Sequence, residues 1–279
     1  MRCKSSSLRP AQGYERMDGL LNVCKPQGLT SFQVVKQIRG ILKVKKAGHC
    51  GTLDPMATGV LLVVFGKATK QATVLSGQDK VYRAEIRLGQ RTDTGDITGN
   101  IMEESLPPVL TLNQVQSVLQ GFIGISDQIP PMVSALKYGG HRLYDLARQG
   151  RTVERSPRKI NIESLELLRL ESPILEIRVR CSKGTYIRTL AEDIGRVLGV
   201  PATLQSLERE KSGNFNIQDS IPWDKVVSSN TKSLLQFSSI TSPRRTSDGE
   251  PTGVLPPASL EPPTPNGVPK RYVENCEHE

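Results

Sequence analysis

The chain is poor in the residues that most enzyme chemistries recruit. Three histidines (His49, His141, His278) in 279 residues, far apart along the chain, offer no cluster at ligand spacing for a transition metal. Five cysteines (Cys3, Cys24, Cys50, Cys181, Cys276) are an odd number without paired short spacings, which argues against a disulfide framework and for reduced thiols in a cytoplasmic protein. No dinucleotide-binding glycine fingerprint is present, and Ser182-Lys183-Gly184-Thr185 lacks the full glycine spacing of a phosphate-binding loop. Reactions that need a nucleotide, redox or metal cofactor are therefore not supported, and none is expected. No apolar run reaches bilayer length, and residues 1–16 carry no apolar core of a secretory signal, so no membrane partner is expected.

What the chain has in excess is positive charge, +9 overall. From Lys225 onward, six basic residues (Lys225, Lys232, Arg244, Arg245, Lys270, Arg271) face six acidic ones (Asp248, Glu250, Glu261, Glu274, Glu277, Glu279), so the surplus belongs to the first 224 residues. A basic domain followed by a neutral tail fits a polyanionic partner, nucleic acid above all. The tail is also where composition shifts: eight of the nineteen prolines follow residue 240, among serines, threonines and glycines, and disorder is expected from Ser228 to the end.

One stretch stands apart, Gly48-His49-Cys50-Gly51-Thr52-Leu53-Asp54-Pro55-Met56-Ala57-Thr58-Gly59. Glycine weakens helix and strand alike, so a segment this rich in it reads as a loop shaped for a backbone task. Pro55 fixes its own φ and pushes Asp54 toward extended geometry, which holds the carboxylate in place. Asp54 has three readings on sequence logic, a structural turn residue, a metal ligand or a catalytic carboxylate, and the scarcity of histidine makes the second the weakest. Cys50 beside His49 is a poor nucleophile pair, because adjacent side chains rarely face each other and no third orienting group is evident.

Around the loop the periodicities are clear. Gly19 to Val23 reads as a buried strand, and Thr30 or Ser31 caps a helix with Val34, Ile38 and Ile41 or Leu42 on one face. Val60 to Phe65 is short, apolar and β-branched, a strand buried on both faces. Lys67 to Leu75 is expected as a helix behind it. In Val81 to Leu88, Tyr82, Ala84, Ile86 and Leu88 share one face and Arg83, Glu85 and Arg87 the other. Gln90 to Asn100 is a polar loop; Thr111 and Gln114 form a capping box, Arg142 to Arg148 forms a helix, and Ile160–Leu170 and Ile174–Cys181 pair as strands. From Thr185 the period switches, with Ile187, Leu190, Ala191, Ile194, Val197 and Leu198 on one helical stripe. Arg188 lies off that stripe in the first turn, where a cation opposes the helix dipole and an acidic neighbour would rationalise it. A guanidinium beside a carboxylate favours its charged form and can grip it bidentately, though spacing does not prove that Arg188 and Asp54 meet.

Several separated motifs recur here in an order that resembles the bacterial TruB family of tRNA pseudouridine synthases, from about Gly19 to Phe215. They are Leu20-Leu21-Asn22-Val23-Cys24-Lys25-Pro26-Gln27-Gly28, the glycine-rich loop, Lys80-Val81-Tyr82-Arg83 with LGQRTDTGD, then PPMVSALKYGG, LYDLARQG and CSKGTYIRTLAEDIG. The resemblance implies an α+β pseudouridine synthase fold, a mixed and mostly antiparallel central sheet flanked by helices, with a catalytic domain at 18–224 between an N-terminal extension (1–17) and the tail (225–279). It implies an isomerase that converts uridine-55 in the T-arm of tRNA to pseudouridine without a cofactor, as a monomer. The family's catalytic aspartate falls on Asp54 and its arginine partner on Arg188. Tyr82 falls on the tyrosine that stacks on the target base, and His49, Tyr186 and Leu207 on further pocket positions; Lys25, Lys45, Lys46 and Lys183 are the cations expected to hold the RNA. Two departures are visible. Where the family carries Leu-Arg-Arg this chain reads Leu207-Glu208-Arg209, which puts an anion near the expected pocket, and the 56 residues after Trp223 leave little room for the family's C-terminal RNA-binding PUA domain, expected to be absent or vestigial. The alternatives from other classes are a non-catalytic tRNA-binding or tRNA-folding protein and a guide-dependent relative acting on ribosomal RNA.

Overall fold

β-Branched, alternating segments make the sheet of this protein, and capping boxes start three of its helices. A computed structural model describes residues 17–239. The chain runs through β1 (Gly19–Lys25), α1 (Ser31–Leu42), β2 (Ala47–His49), β3 (Thr58–Phe65), α2 (Ala72–Ser76), β4 (Lys80–Leu88), β5 (Gln90–Thr92) and β6 (Ile101–Glu104). It continues through α3 (Leu112–Gln120), β7 (Gly124–Gln128), β8 (Lys137–Tyr138), β9 (His141–Arg142), α4 (Leu143–Arg148), β10 (Arg158–Glu171) and β11 (Ile174–Cys181). The last elements are α5 (Ile187–Val197), β12 (Ala202–Ser212), β13 (Phe215–Asn216), α6 (Trp223–Ser228) and α7 (Thr231–Leu235). Thr30 and Thr111 cap α1 and α3 through complete capping boxes with Gln33 and Gln114.

The central sheet has the order β1-β3-β12-β4-β11-β10-β7, with β2 added to β3 and β13 to β12. Every pairing in it is antiparallel except β3 with β12, so the sheet is mixed and mostly antiparallel as expected. That parallel contact is close: a Cβ on Gly59, which has φ +97°, would lie 2.4 Å from the Arg209 carbonyl oxygen. Glycine is required there on both counts.

β3 is buried on both faces. Leu61, Val63 and Phe65 pack with Leu21, Val23 and the Val34, Ile38 and Leu42 stripe of α1, while Val60, Leu62 and Val64 pack with Leu20, Cys50 and Ala68. The inner face of β4, β10, β11 and β12 forms the main core with Leu190, Ala191 and Ile194 of α5 and with Leu53, Met56 and Ala57 of the glycine-rich loop. The outer face of these strands is a lattice of charge: Arg83 and Arg169 both bind Glu176, Arg169 also reaches Glu85, and Arg178 grips Glu210 with two bonds. Cations on this face are thus largely matched by glutamates.

Several expectations need correction. Residues 66–71 are a 3-10 turn, and only Ala72–Ser76 is α-helical. Gln90 to Asn100 is not all loop, because β5 pairs with β6 in a hairpin. Val197 is 61% exposed and leaves the core stripe of α5. Most substantially, 225–239 is ordered structure: α6 and α7 bury Val226 and Leu234 against the α1 side of the sheet, and Ser239 bridges Leu20 through two backbone hydrogen bonds of 3.2 and 2.9 Å. The remainder of the expected tail, residues 240–279, and residues 1–16 lie outside the described residues.

Candidate active site

The glycine-rich loop is anchored at almost every residue. Ser31, at the start of α1, accepts from the Leu53 amide at 2.9 Å and donates its hydroxyl to the Leu53 carbonyl at 3.1 Å. The Pro55 carbonyl accepts from the Gly28 amide at 2.8 Å and from the Lys25 ammonium at 3.3 Å, and Ala57 N–H closes a turn onto the Asp54 carbonyl. On the other side Arg209, almost fully buried, donates to the carbonyls of Val60 (2.6 Å), Thr52 (3.4 Å) and Gly51 (3.2 Å). With its backbone so constrained, the loop presents the Asp54 side chain one-third exposed at the floor of a cavity.

Arg188 does meet Asp54. Its Nε donates to Asp54 Oδ2 at 2.9 Å from the first turn of α5, and the guanidinium is 3% exposed. The grip is single, not bidentate: the other two nitrogens donate to the carbonyls of Thr94 at 2.8 Å and Val133 at 2.7 Å. One cation therefore ties the aspartate loop to two further loops. Asp96, buried beside it, brings Oδ2 to 3.9 Å from Arg188 Nε, while its Oδ1 is held by Thr94 and by the amide and hydroxyl of Thr98. This second carboxylate lay inside the LGQRTDTGD motif, yet only its place beside Arg188 singles it out.

The cavity over Asp54 has a volume of about 260 Å³. Tyr82, Tyr186, Leu207, Lys80, Arg188 and Arg209 contribute to its walls. Tyr82 packs in the main core and also faces the cavity, and burial pushes its phenol pKa up. Gln128, on β7, fixes Tyr186 by accepting from its amide at 2.8 Å and donating to its carbonyl at 3.1 Å. A larger, more open cavity of about 510 Å³, lined by Arg91, Glu103, Glu192 and Arg196 among others, contains neither the loop nor the Asp54–Arg188 pair.

The structure distributes the other expected site residues differently. His49 sits in β2 opposite Val63 and is not among the cavity-lining residues; burial lowers its pKa. Lys25 is fully buried and donates to the carbonyls of Pro26, Leu29 and Pro55, so it holds the loop from inside and is not placed to touch RNA. The cost of burying it pulls its pKa down to about 8. Lys45, Lys46 and Lys183 are exposed, the last between cavity-lining Ser182 and Gly184. Glu208 stands opposite Arg83 in the β12–β4 register, on the outer face of the sheet, whereas Leu207 and Arg209 point inward beside Ala84 and Tyr82. The anion is therefore not in the pocket, because strand alternation turns it away.

Comparison with known proteins places this geometry. The family model described as "TruB family pseudouridylate synthase (N terminal domain)" matches residues 39–187. The chain belongs to the TruB family. It is 47% identical over 223 residues to tRNA pseudouridine synthase B of Endomicrobium trichonymphae, covering 78% of this chain and 97% of that one. It is likewise 47% identical over 219 residues to the protein of the same name from Clostridium tetani, covering 78% and 76%. Among solved structures it is similar to a chain of a Cbf5-Nop10-Gar1 complex, with a TM-score of 0.60 and 32% identity over 75% of this chain and 53% of that one. A chain from an H/ACA RNP bound to a substrate RNA containing 2'-deoxyuridine gives a TM-score of 0.56 at 30% identity, over 75% and 52%. The fold is thus the pseudouridine synthase fold, and the protein is an isomerase of the pseudouridine synthase class. The Asp54 loop and the inward face of β4 fall inside the span matched by the TruB model, while Arg188, one residue past its end, and β12, with Leu207 and Arg209, lie beyond it.

Proposed function

We propose that this chain converts uridine-55 in the T-arm of tRNA to pseudouridine, with Asp54 as nucleophile. The observation that carries the reading is the Asp54–Arg188 pair at the floor of a cavity walled by Tyr82, Tyr186 and Leu207. A carboxylate left one-third exposed, on a backbone that cannot swing, is arranged to attack. Arg188 orients it through Nε and is itself immobilised by Thr94 and Val133. The cavity suits one nucleoside and not a stacked base pair, so the target must leave its loop, at a cost of a few kcal/mol. Stacking on the Tyr82 ring offsets about 1–3 kcal/mol of that cost, and exposed Lys45, Lys46 and Lys183 are suited to phosphates. The relatives named tRNA pseudouridine synthase B make tRNA the favoured substrate over guided ribosomal RNA.

An unmodified tRNA transcript incubated with the protein alone is expected to gain one pseudouridine in its T-loop, read by chemical mapping. Asp54→Asn is expected to remove the product while tRNA still binds. Full activity in that variant refutes the nucleophile assignment, and activity only with a guide RNA refutes the substrate assignment.

A further inference from the structure

The ground beneath the cavity carries more positive than negative charge. Four cations, Lys25, Lys80, Arg188 and Arg209, are each at most 5% exposed around a site whose carboxylates are Asp54 and Asp96. Arg188 has both carboxylates as neighbours. Lys25, Lys80 and Arg209 have none within 4 Å among the described residues; the two lysines are held by backbone carbonyls, with Asp54 and Asp79 acting on them only from farther off, and Arg209 is held by backbone carbonyls and the Tyr82 phenol. Lys80 and Arg209 line the cavity. The Lys80 ammonium donates to the carbonyls of Ser76 (2.7 Å) and Gln78 (2.5 Å), which leaves one N–H without an acceptor among the described residues. Burying cations without counter-ions is costly, and structural tethering alone does not require charge on the cavity side. A preorganised positive field in a water-poor site acts most strongly on negative charge that appears during a reaction.

Resting on the proposed function, we infer that Lys80 and Arg209 form an electropositive floor that stabilises the negative charge developing on the detached pyrimidine. When the N1–C1′ bond breaks, its electron pair stays on N1 and spreads over O2 and O4, while C1′ is taken by an Asp54 oxygen. After the base turns, C5 bonds to C1′, the carboxylate leaves, C5 loses its proton and N1 gains one, so atoms and charge balance. If Asp54 adds instead to C6, the ring electrons move onto O4, and the pyrimidine is again the group that becomes negative. Nothing else among the described residues lining the cavity carries unpaired positive charge at that depth.

The test compares two tRNA transcripts, one with uridine and one with 4-thiouridine at the target position, the latter giving the more stable pyrimidine anion. Wild-type turnover of the uridine transcript checks the proposed function by itself. Lys80→Met is expected to slow single turnover of the uridine transcript about 100-fold, with tRNA affinity changed less than about two-fold, and to slow the thiouridine transcript several-fold less. Lys80→Arg, which keeps the charge, is expected to recover most of the rate, and Arg209→Lys to show the same smaller deficit on the thiouridine transcript. Equal deficits on both transcripts overturn the inference, as does a Lys80→Met protein that turns over at the wild-type rate. If Lys80→Met does not fold, the Arg209→Lys ratio decides alone.

Discussion

Arg188 is the residue whose replacement reports most directly on how the site is built. Its guanidinium makes three hydrogen bonds, to Asp54, Thr94 and Val133, while 3% exposed. Hydrogen bonds to charged groups contribute about 1.5–3 kcal/mol each, and the desolvation of a buried guanidinium takes back several kcal/mol of their sum. Arg188→Met, which leaves two carbonyls and a carboxylate without their donor, is therefore expected to lower stability by about 3–5 kcal/mol. Arg188→Lys keeps the charge but cannot span three divergent acceptors, so about 1.5–3 kcal/mol is expected to be lost with at least one bond. Urea unfolding of wild type, Arg188→Met, Asp54→Asn and the double variant measures the coupling of the pair independently of catalysis. A coupling of about 1.5–3 kcal/mol is expected for a charge-assisted bond at this depth. Additivity within about 0.5 kcal/mol would mean that Arg188 is held by the carbonyls alone and that its bond to Asp54 is incidental.

The buried lysines give a pH dependence of known sign. Lys25 and Lys80 have their pKa pulled down to about 8 in the folded protein against 10.5 for the free side chain, chiefly because burial disfavours the charged form. The unfolded chain then binds more protons between those values, so their contribution rises from pH 8 toward 10.5 and is lost as pH falls through 8. The unfolding free energy of wild type relative to Lys25→Met is expected to climb by up to about 1.4 kcal/mol per pH unit across that window, and a flat difference in urea titrations at pH 7.5, 8.5 and 9.5 would contradict it. Gly59→Ala forces a Cβ onto the Arg209 carbonyl at positive φ and is expected to cost about 2–4 kcal/mol, an unchanged melting temperature being the contrary result. Glu208→Arg is expected to leave turnover on tRNA within about two-fold and to lower stability by about 0.2–1 kcal/mol, since it sets like charges opposite each other at Arg83; a large gain in tRNA affinity would return this position to the RNA surface.

What could be read without coordinates followed the strength of local periodicity. β1, β3, β4, β10, β11 and α5 announce themselves by alternation, apolar runs or a 3.6-residue stripe, α1 by its cap and apolar stripe, and α3 by its capping box. β12 was not legible, although it is central: Ala202 to Ser212 mixes buried charge with apolar residues, because Arg209 faces inward where the pattern of a half-buried strand calls for an apolar side chain. α6 and α7 are six and five residues long, too short for a periodic signal, and are stabilised by packing on α1. In the site, Arg188 stood out because a cation in the first turn opposes the helix dipole, and Asp54 because it is the carboxylate of the glycine-rich loop, held by Pro55. The burial of Lys25 and Lys80 was not legible, since a lysine in a turn or at a strand end usually faces solvent, and Lys25 was expected on the RNA surface.

The bridge between Leu20 and Ser239 brings the two ends of the described chain side by side on the edge of the sheet. Such a closure makes the order of the elements along the chain partly arbitrary. A circular permutant that joins residues 17 and 239 through a short flexible linker, with new ends opened in the exposed 104–109 connection, would carry the same loop, clamp and cavity. It would also separate the tail beyond 239 from the unit without removing either helix that α1 needs.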